Sequence, residues 1–200
     1  FLSAFSGVAV LWMAAALFDL DWLMTLMAWL AIPAGMMMAG YTAFLFGQAE
    51  GRDLWQSPVL FWHLQAQAVM VGAGALAVAG LFADLSAQAW TLIVVAFVVA
   101  TALHLLMLLV EYGGKHASRQ AAAAAHVVTS GRYAKLFWLG GVAPAVAAVV
   151  IGGAAWVMGV STDTVGTTAA LLAVAGLLVQ PALLAYESVF VRAGQDMPLS

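Results

Sequence analysis

The sequence contains no cysteine and few charged residues. Without cysteine the chain can form no disulfide and can supply no thiolate ligand to an iron–sulfur cluster. Charged residues make up 8% of the 200 residues and hydrophobic residues 66%, whereas soluble domains carry roughly 25% charged residues. Because so few charges cannot solvate the surface of a globule of this size, the composition predicts an integral membrane protein.

Other scarcities exclude further classes of protein. The net charge is −3 and the sequence has no run of basic residues, so nothing would neutralise the phosphates of a nucleic acid. The run Met36-Met37-Met38 stands without other soft ligands, which predicts packing and no metal site. Ser, His and Asp occur without a pattern that predicts a catalytic triad, so no catalytic residue is assigned. The chain starts at Phe1 without a charged n-region, and no signal peptide is predicted.

Long apolar stretches predict the fold. A transmembrane helix needs roughly 20 mostly apolar residues, and six stretches meet or approach this length: 1–18, 22–47, 59–83, 89–110, 136–160 and 165–189. We therefore expect an all-α, polytopic transmembrane bundle that forms a single domain over residues 1–200. The first stretch is short, which indicates a chain that begins inside a helix and lacks part of a larger bundle. Small residues four apart, at Gly35/Ala39 and Ala68/Gly72, predict close helix packing.

An even number of spans places both ends of the chain on one side of the membrane. This side, called side A, holds segments 48–58, 111–135 and 190–200, whereas side B holds the short turns 19–21, 84–88 and 161–164. All six basic residues lie on side A: Arg52, Lys115, Arg119, Arg132, Lys135 and Arg192. The positive-inside rule predicts that side A is cytoplasmic; alternatively, these residues attract an acidic partner subunit. Within side A, segment 118–128 is either a short surface helix or a plain connector.

Polar side chains within the spans concentrate in the halves near side A. They are Tyr41, Thr42, Gln48, His63, Gln65, Gln67, His104, Gln180, Tyr186 and Glu187, with Glu111 at a span end. Such groups are costly in a bilayer and usually face a bundle interior or a functional cavity. His63 and Gln67 share a helix face because they are four residues apart. We therefore expect the functional site in the third of the bundle nearest side A.

His63 and His104 admit several interpretations. Two histidines at matching depth on different helices could hold a b-type haem between them, as in a cytochrome membrane anchor. Each could instead be a core or interfacial histidine that makes one hydrogen bond. A small-molecule or ion transporter is a further alternative, but transporters are expected to show inverted repeats with interrupted helices at the midplane. Here the polar groups cluster toward one face, which disfavours transport.

Segment 40–58 resembles a known helix-end and loop signature. It reads GYTAFLFGQAEGRDLWQSP. This is similar to the Tyr-Thr-Gly-Phe-Leu pattern, polar stretch, Trp and Pro-initiated helix of the NrfD/PsrC family, with Ala43 in place of the usual Gly. Members of that family are membrane subunits of polysulfide-reductase-type complexes. Segments 105–111, 131–138 and 193–200 look like the same family, and the resemblance covers most of the chain from about residue 34.

The resemblance implies a haem-free bundle of eight or more spans in a bacterial-type inner membrane. Such a bundle would bind a quinone (menaquinone or ubiquinone). An iron–sulfur, ferredoxin-like partner, attached to a molybdopterin-type catalytic subunit, would exchange electrons with this quinone. The chain itself would hold no iron–sulfur cluster and would act as a non-catalytic or quinone-reactive subunit of the oxidoreductase.

Residue chemistry suggests where a quinone would bind. Tyr41, in the family-like motif, has a hydroxyl suited to a quinone carbonyl, and the imidazole of His63 can pass protons. Gln67 would orient His63 or the quinone ring, and Glu111 would relay protons to the aqueous loop. The alternative is that Tyr41 packs and His63 satisfies a backbone carbonyl. Because side B offers only short acidic turns, the expected contacts with the partner lie on side A, at Arg52 and Arg132.

Overall fold

The computed structural model describes residues 1–161 and 163–199 of the chain. These residues form seven α-helices and no strand, which confirms the predicted all-α class. The helices are α1 (Leu2–Leu17), α2 (Asp21–Gly47), α3 (Leu60–Ala79), α4 (Ala87–Gly113), α5 (Arg119–Thr129), α6 (Ala143–Met158) and α7 (Val165–Asp196). Thr162, in the predicted turn 161–164, and Ser200, in the motif segment 193–200, lie outside the described residues.

Five helical segments of the described chain are long and apolar enough to cross a membrane. They are α2, α3 with the short turn that follows it, α4, α6 with the π-helical turn Leu136–Val142 that precedes it, and α7. Helix α1 is also apolar but has 16 residues, about 24 Å at 1.5 Å per residue, against a hydrocarbon core of about 30 Å. The predicted polytopic membrane bundle is confirmed, with one shorter apolar helix at the first of the six expected spans.

The outside of the bundle is apolar. Large hydrophobic side chains such as Trp29, Phe44, Trp62 and Leu109 are exposed on the surfaces of different helices. A helix that is hydrophobic on all sides is typical of a lipid environment, because no polar face is needed there. These exposed side chains are therefore the lipid-facing surface of an integral membrane protein.

Helix α5 is the surface helix that the sequence allowed at 118–128. The hydroxyl of Ser118 accepts a hydrogen bond from the backbone N–H of Ala121 at 3.0 Å and so caps its first turn. Its buried residues recur at helical spacing on one face: Ala121, Ala124, Ala125 and Val128. This face packs against α7 and against the turn Asp53–Gln56, so the segment is an ordered part of side A and not a plain connector.

Helix α7 lies at the centre of the bundle and packs against α3, α4, α5 and α6. Where it crosses α3, a Cβ built on Gly74 would lie 2.9 Å from the Cα of Gly176. Glycine at both positions lets the two backbones approach this closely. The predicted packing pair Ala68/Gly72 was wrong for α3: both residues are exposed, and no described atom lies within 4 Å of a Cβ at Gly72.

The segments assigned to side A meet at one end of the bundle, which we call the side-A end. The hydroxyl of Ser118 donates a hydrogen bond to the carboxylate of Asp53, and Arg132 forms an ion pair with Asp196. The Nη1 of Arg52 donates to three backbone carbonyls, those of Gly194 (3.0 Å), Gln195 (2.7 Å) and Met197 (2.8 Å). At the opposite end, the turn 80–86 and the start of α7 line a common cavity. The six basic residues therefore share one end of the molecule.

Candidate functional site

Two buried histidines form the centre of the site. His63 lies one turn inside the start of α3 and is fully buried, and His104 of α4 is 2% exposed. The Nε2 of His63 lies 2.7 Å from the Nδ1 of His104. At this distance one imidazole nitrogen donates and the other accepts, so the two rings share a hydrogen bond in the bundle interior.

A tyrosine and a carboxylate extend this pair toward the side-A end. The hydroxyl of Tyr186, on α7, donates to the Oε2 of Glu111 at 3.2 Å and lies 3.5 Å from the Nδ1 of His63. The same Glu111 oxygen is 3.5 Å from that His63 nitrogen. His63, His104, Tyr186 and Glu111 thus form one connected set, which we call the His–Tyr–Glu cluster. It joins α3, α4 and α7.

The packing of the three helices explains why these side chains converge. His104 and Glu111 are seven residues apart on α4 and share a face with the buried Leu108. Tyr186 is 2% exposed, and Gly141 of the π-helical turn packs against it, with a Cβ built on Gly141 lying 3.6 Å from the Cβ of Tyr186. This is an ordinary van der Waals distance, so the turn and the tyrosine lie in direct contact.

Gln67 lies beside the cluster, as the sequence predicted. It is 4% exposed and one turn beyond His63 on α3. Its amide is a hydrogen-bond partner of the Glu187 carboxyl on α7, and Glu187 is in turn close enough to His63 and Glu111 for their charges to interact. Gln67 therefore connects the cluster to a second carboxyl group, which was noted in the sequence as polar but given no role.

Tyr41 does not join the cluster among the described contacts. It lies on α2 and is 40% exposed. Helix α2 meets α3 through the neighbouring Gly40, which packs against Phe61 and Gln65, and the amide of Gln65 donates to the carbonyl of Met36 at 2.9 Å. The structure therefore brings together His63, Gln67 and Glu111 of the predicted site and leaves Tyr41 on the surface of the bundle.

The two predicted docking arginines have partners within the chain. The guanidinium of Arg52 is bound to the carbonyls at the end of α7. The side chain of Arg132 is 59% exposed, pairs with Asp196 and lies 5.0 Å from the ring centre of Tyr133. Arg132 thus remains accessible to a partner, whereas Arg52 holds the side-A turn against α7.

The histidine geometry bears on the haem alternative. The ring centres of His63 and His104 are 4.8 Å apart, and a direct hydrogen bond joins the two rings. An axially held haem needs its iron and the porphyrin plane between the two nitrogens. Residues packed in this way do not fit a haem held between His63 and His104.

Two members of the cluster were not assigned to it from the sequence. His104 was considered as a haem ligand or as a core or interfacial histidine that makes one hydrogen bond, and Tyr186 was noted only as one of the polar residues near side A. Their depth in the membrane could have identified them, since both lie in the side-A halves of their helices, at a depth similar to that of His63.

Membrane-crossing helices around a buried ionisable cluster define an integral membrane protein with its polar chemistry at one end. The family model described as polysulphide reductase, NrfD, matches residues 2–192. The chain therefore belongs to the NrfD family, which confirms the predicted resemblance, and it is a membrane subunit of a redox complex. Members of this family usually pair with iron–sulfur subunits in oxidoreductase complexes. No curated protein and no solved structure matches the chain.

Proposed function

We propose that this chain is the quinone-binding membrane subunit of an oxidoreductase complex. It exchanges electrons with an iron–sulfur, ferredoxin-like partner that is attached to a molybdopterin-type catalytic subunit. The observation that carries the proposal is the His–Tyr–Glu cluster, a connected set of proton-carrying groups buried between α3, α4 and α7. Because the chain has no cysteine, its electrons come from or go to another protein.

The chemistry of a quinone explains the need for such a cluster. Reduction of a quinone by two electrons also takes up two protons, and oxidation of the quinol releases them. A site within the bilayer therefore needs a path that moves protons to water. In the cluster, His63 can receive a proton at Nδ1 from Glu111 and release one at Nε2 to His104, because an imidazole has two exchangeable nitrogens.

An apolar groove between α3 and α4, the two helices that carry His63 and His104, supports the placement of the quinone. It has a volume of about 460 Å³ and is lined by residues of α3 and α4, among them Trp62, Ala66, Ala100 and Leu103. These positions flank His63 and His104 in sequence. We place the quinone ring and tail in this groove, which is lined by Gln65 and not by His63, Gln67 or Tyr41, so contact of the ring with these three residues is part of the proposal.

The proposal also covers orientation in the membrane. The side-A end carries the six basic residues, and the turns at the other end carry only acidic ones. The positive-inside rule then favours a cytoplasmic side-A end, and the family resemblance implies a bacterial-type inner membrane. The partner would dock at this end, since the cluster lies near it and a short distance favours electron transfer.

Variants of the intact complex test the proposal. Tyr41→Phe and His63→Leu should each slow quinone-linked turnover several-fold, because each removes a hydrogen-bond donor worth about 0.5–1.5 kcal/mol. Partner-to-dye electron transfer should stay intact, since it does not use the quinone. His126→Leu, an exposed position on α5, is the matched control and should leave both activities unchanged.

The pattern of loss separates the possible outcomes. Slower turnover in His63→Leu alone would remove Tyr41 from the site and keep the cluster. Unchanged turnover in both variants would contradict a quinone site in this chain. A Soret band in the reduced spectrum of the purified complex, lost in His104→Leu, would contradict the haem-free assignment and favour the cytochrome alternative.

A further inference from the structure

A second cavity lies at the side-A end, outside the groove assigned to the quinone. It has a volume of about 270 Å³ and sits between the turn 53–59 and the segment 115–121. Asp53, Gln56 and Ser57 line one wall, and Lys115, His116 and Ala117 line the other. Polar side chains on both walls make this a cavity that water can occupy.

Glu111 forms the inner wall of this cavity. Its side chain is 5% exposed. One oxygen, Oε2, faces Tyr186 and His63, whereas the other, Oε1, is buried without a hydrogen-bond partner among the described residues. A buried carboxylate oxygen is costly without a partner, unless water or a proton reaches it. Glu111 thus stands between the aqueous cavity and the buried cluster.

The groups around Glu111 are suited to proton exchange. On the inner side it faces His63 of α3 and Tyr186 of α7, with Glu187 and Tyr112 close by. On the outer side the cavity holds the titratable groups of Asp53, Lys115 and His116. The cavity therefore joins titratable groups at the surface to the His–Tyr–Glu cluster inside, with Glu111 as the connecting residue.

We infer that this cavity is the aqueous port through which Glu111 exchanges protons between side A and the buried cluster. A proton leaves a hydronium ion in the cavity, which becomes water, and binds the Glu111 carboxylate. Glu111 then gives that proton to the Nδ1 of His63 and returns to its charged form. His63 releases its Nε2 proton to the Nδ1 of His104, and His104 passes its own Nε2 proton to the reduced quinone and returns to its neutral form. The inference rests on the proposed function, since it names the path by which protons reach that site.

The absence of cysteine makes the port directly testable. In membranes that contain the whole complex, Ala117→Cys introduces a thiol into the cavity wall. Ala122→Cys introduces one on the exposed side of α5, outside the cavity. Both are treated with a charged methanethiosulfonate reagent that does not cross membranes. The probe for Glu111 is a water-soluble carbodiimide with glycine ethyl ester, and labelling is read by peptide mass spectrometry.

The port predicts that both thiols react and that modification at position 117 slows labelling of Glu111 several-fold. Modification at position 122 should not slow the labelling of Glu111, and labelling of the exposed Glu50 should stay constant in both variants. Ser57→Cys, on the opposite wall, should repeat the effect if Ala117→Cys reduces assembly. The port would be overturned if the thiol at position 117 does not react while the thiol at position 122 does. It would also be overturned if modification at position 117 leaves the labelling of Glu111 unchanged.

Turnover distinguishes this inference from the proposed function. If the plug at position 117 blocks Glu111 labelling and also slows quinone-linked turnover, both stand. If it blocks labelling while turnover is unchanged in His63→Leu, the port stands and the quinone assignment fails. If turnover falls in His63→Leu but labelling of Glu111 is insensitive to the plug, the quinone assignment stands and the port is contradicted.

Discussion

At the scale of single residues, the members of the His–Tyr–Glu cluster are hydrogen-bond partners of one another. His63 and His104 share one hydrogen bond at 2.7 Å, so the tautomer of one ring fixes that of the other. Tyr186 then ties the pair to Glu111. A buried polar group without a partner costs about 1–3 kcal/mol. The shared hydrogen bonds reduce this cost within the apolar bundle, although the Oε1 of Glu111 has no partner among the described residues.

Arg52 offers a test of the residue-scale account. Its guanidinium binds three carbonyls at the end of α7, so Arg52→Ala should lower the free energy of unfolding by about 1–3 kcal/mol. Arg132→Ala removes an exposed ion pair with Asp196 and should cost about 0–1 kcal/mol. Thermal unfolding of the purified chain in detergent measures both. Equal shifts in the two variants would show that Arg52 does not stabilise the end of α7.

At the scale of helices, the sequence predicted where the elements lie but not how they face one another. Apolar runs located every membrane-crossing helix, since length and hydropathy decide whether a segment can cross a bilayer. These helices are apolar all round, so no periodic pattern distinguishes the lipid face from the packed face. For this reason the sequence predicted close helix packing at Ala68/Gly72, whereas Gly74 makes the close contact. For the same reason Tyr41 was expected beside His63, at the place where Tyr186 lies.

The crossing of α3 and α7 gives the prediction at this scale. Gly74→Leu should force the two backbones apart, because the Cβ alone would lie 2.9 Å from Gly176, and overpacking of this kind costs about 1–3 kcal/mol. Gly72→Leu, two residues away on the exposed face of α3, should be tolerated. Fluorescence size-exclusion of heated samples reports the folded fraction of each. A Gly74→Leu chain as stable as the Gly72→Leu chain would contradict the close crossing.

At the scale of the whole molecule, the two ends of the bundle differ. The side-A end combines the six basic residues, helix α5 and the cavity that leads to Glu111. The turns at the opposite end are short and acidic. The depth of the polar residues along the chain predicted this polarity, because order along a helix is also order across the membrane. The single-domain organisation over residues 1–200 stays a prediction.

Docking of the iron–sulfur partner should depend on the basic end. Arg119 and Lys135 are exposed there, so the double variant Arg119→Glu, Lys135→Glu should reduce co-purification of the partner, and more so at high salt, where the remaining attraction is screened. Asp84→Lys, an exposed change at the other end, is the control and should leave co-purification unchanged. Loss of the partner in the control alone would place the interface at the side-B end.

In the proposed function, electrons pass between an iron–sulfur partner and a quinone held beside His63. Rapid-mixing reoxidation of the partner's reduced cluster by added quinone, in the intact complex, measures this transfer. The account predicts fast, quinone-dependent reoxidation in the unaltered complex, several-fold slower reoxidation in His63→Leu, and no change in His126→Leu. Reoxidation that does not depend on quinone, or that proceeds equally in all three, would contradict it.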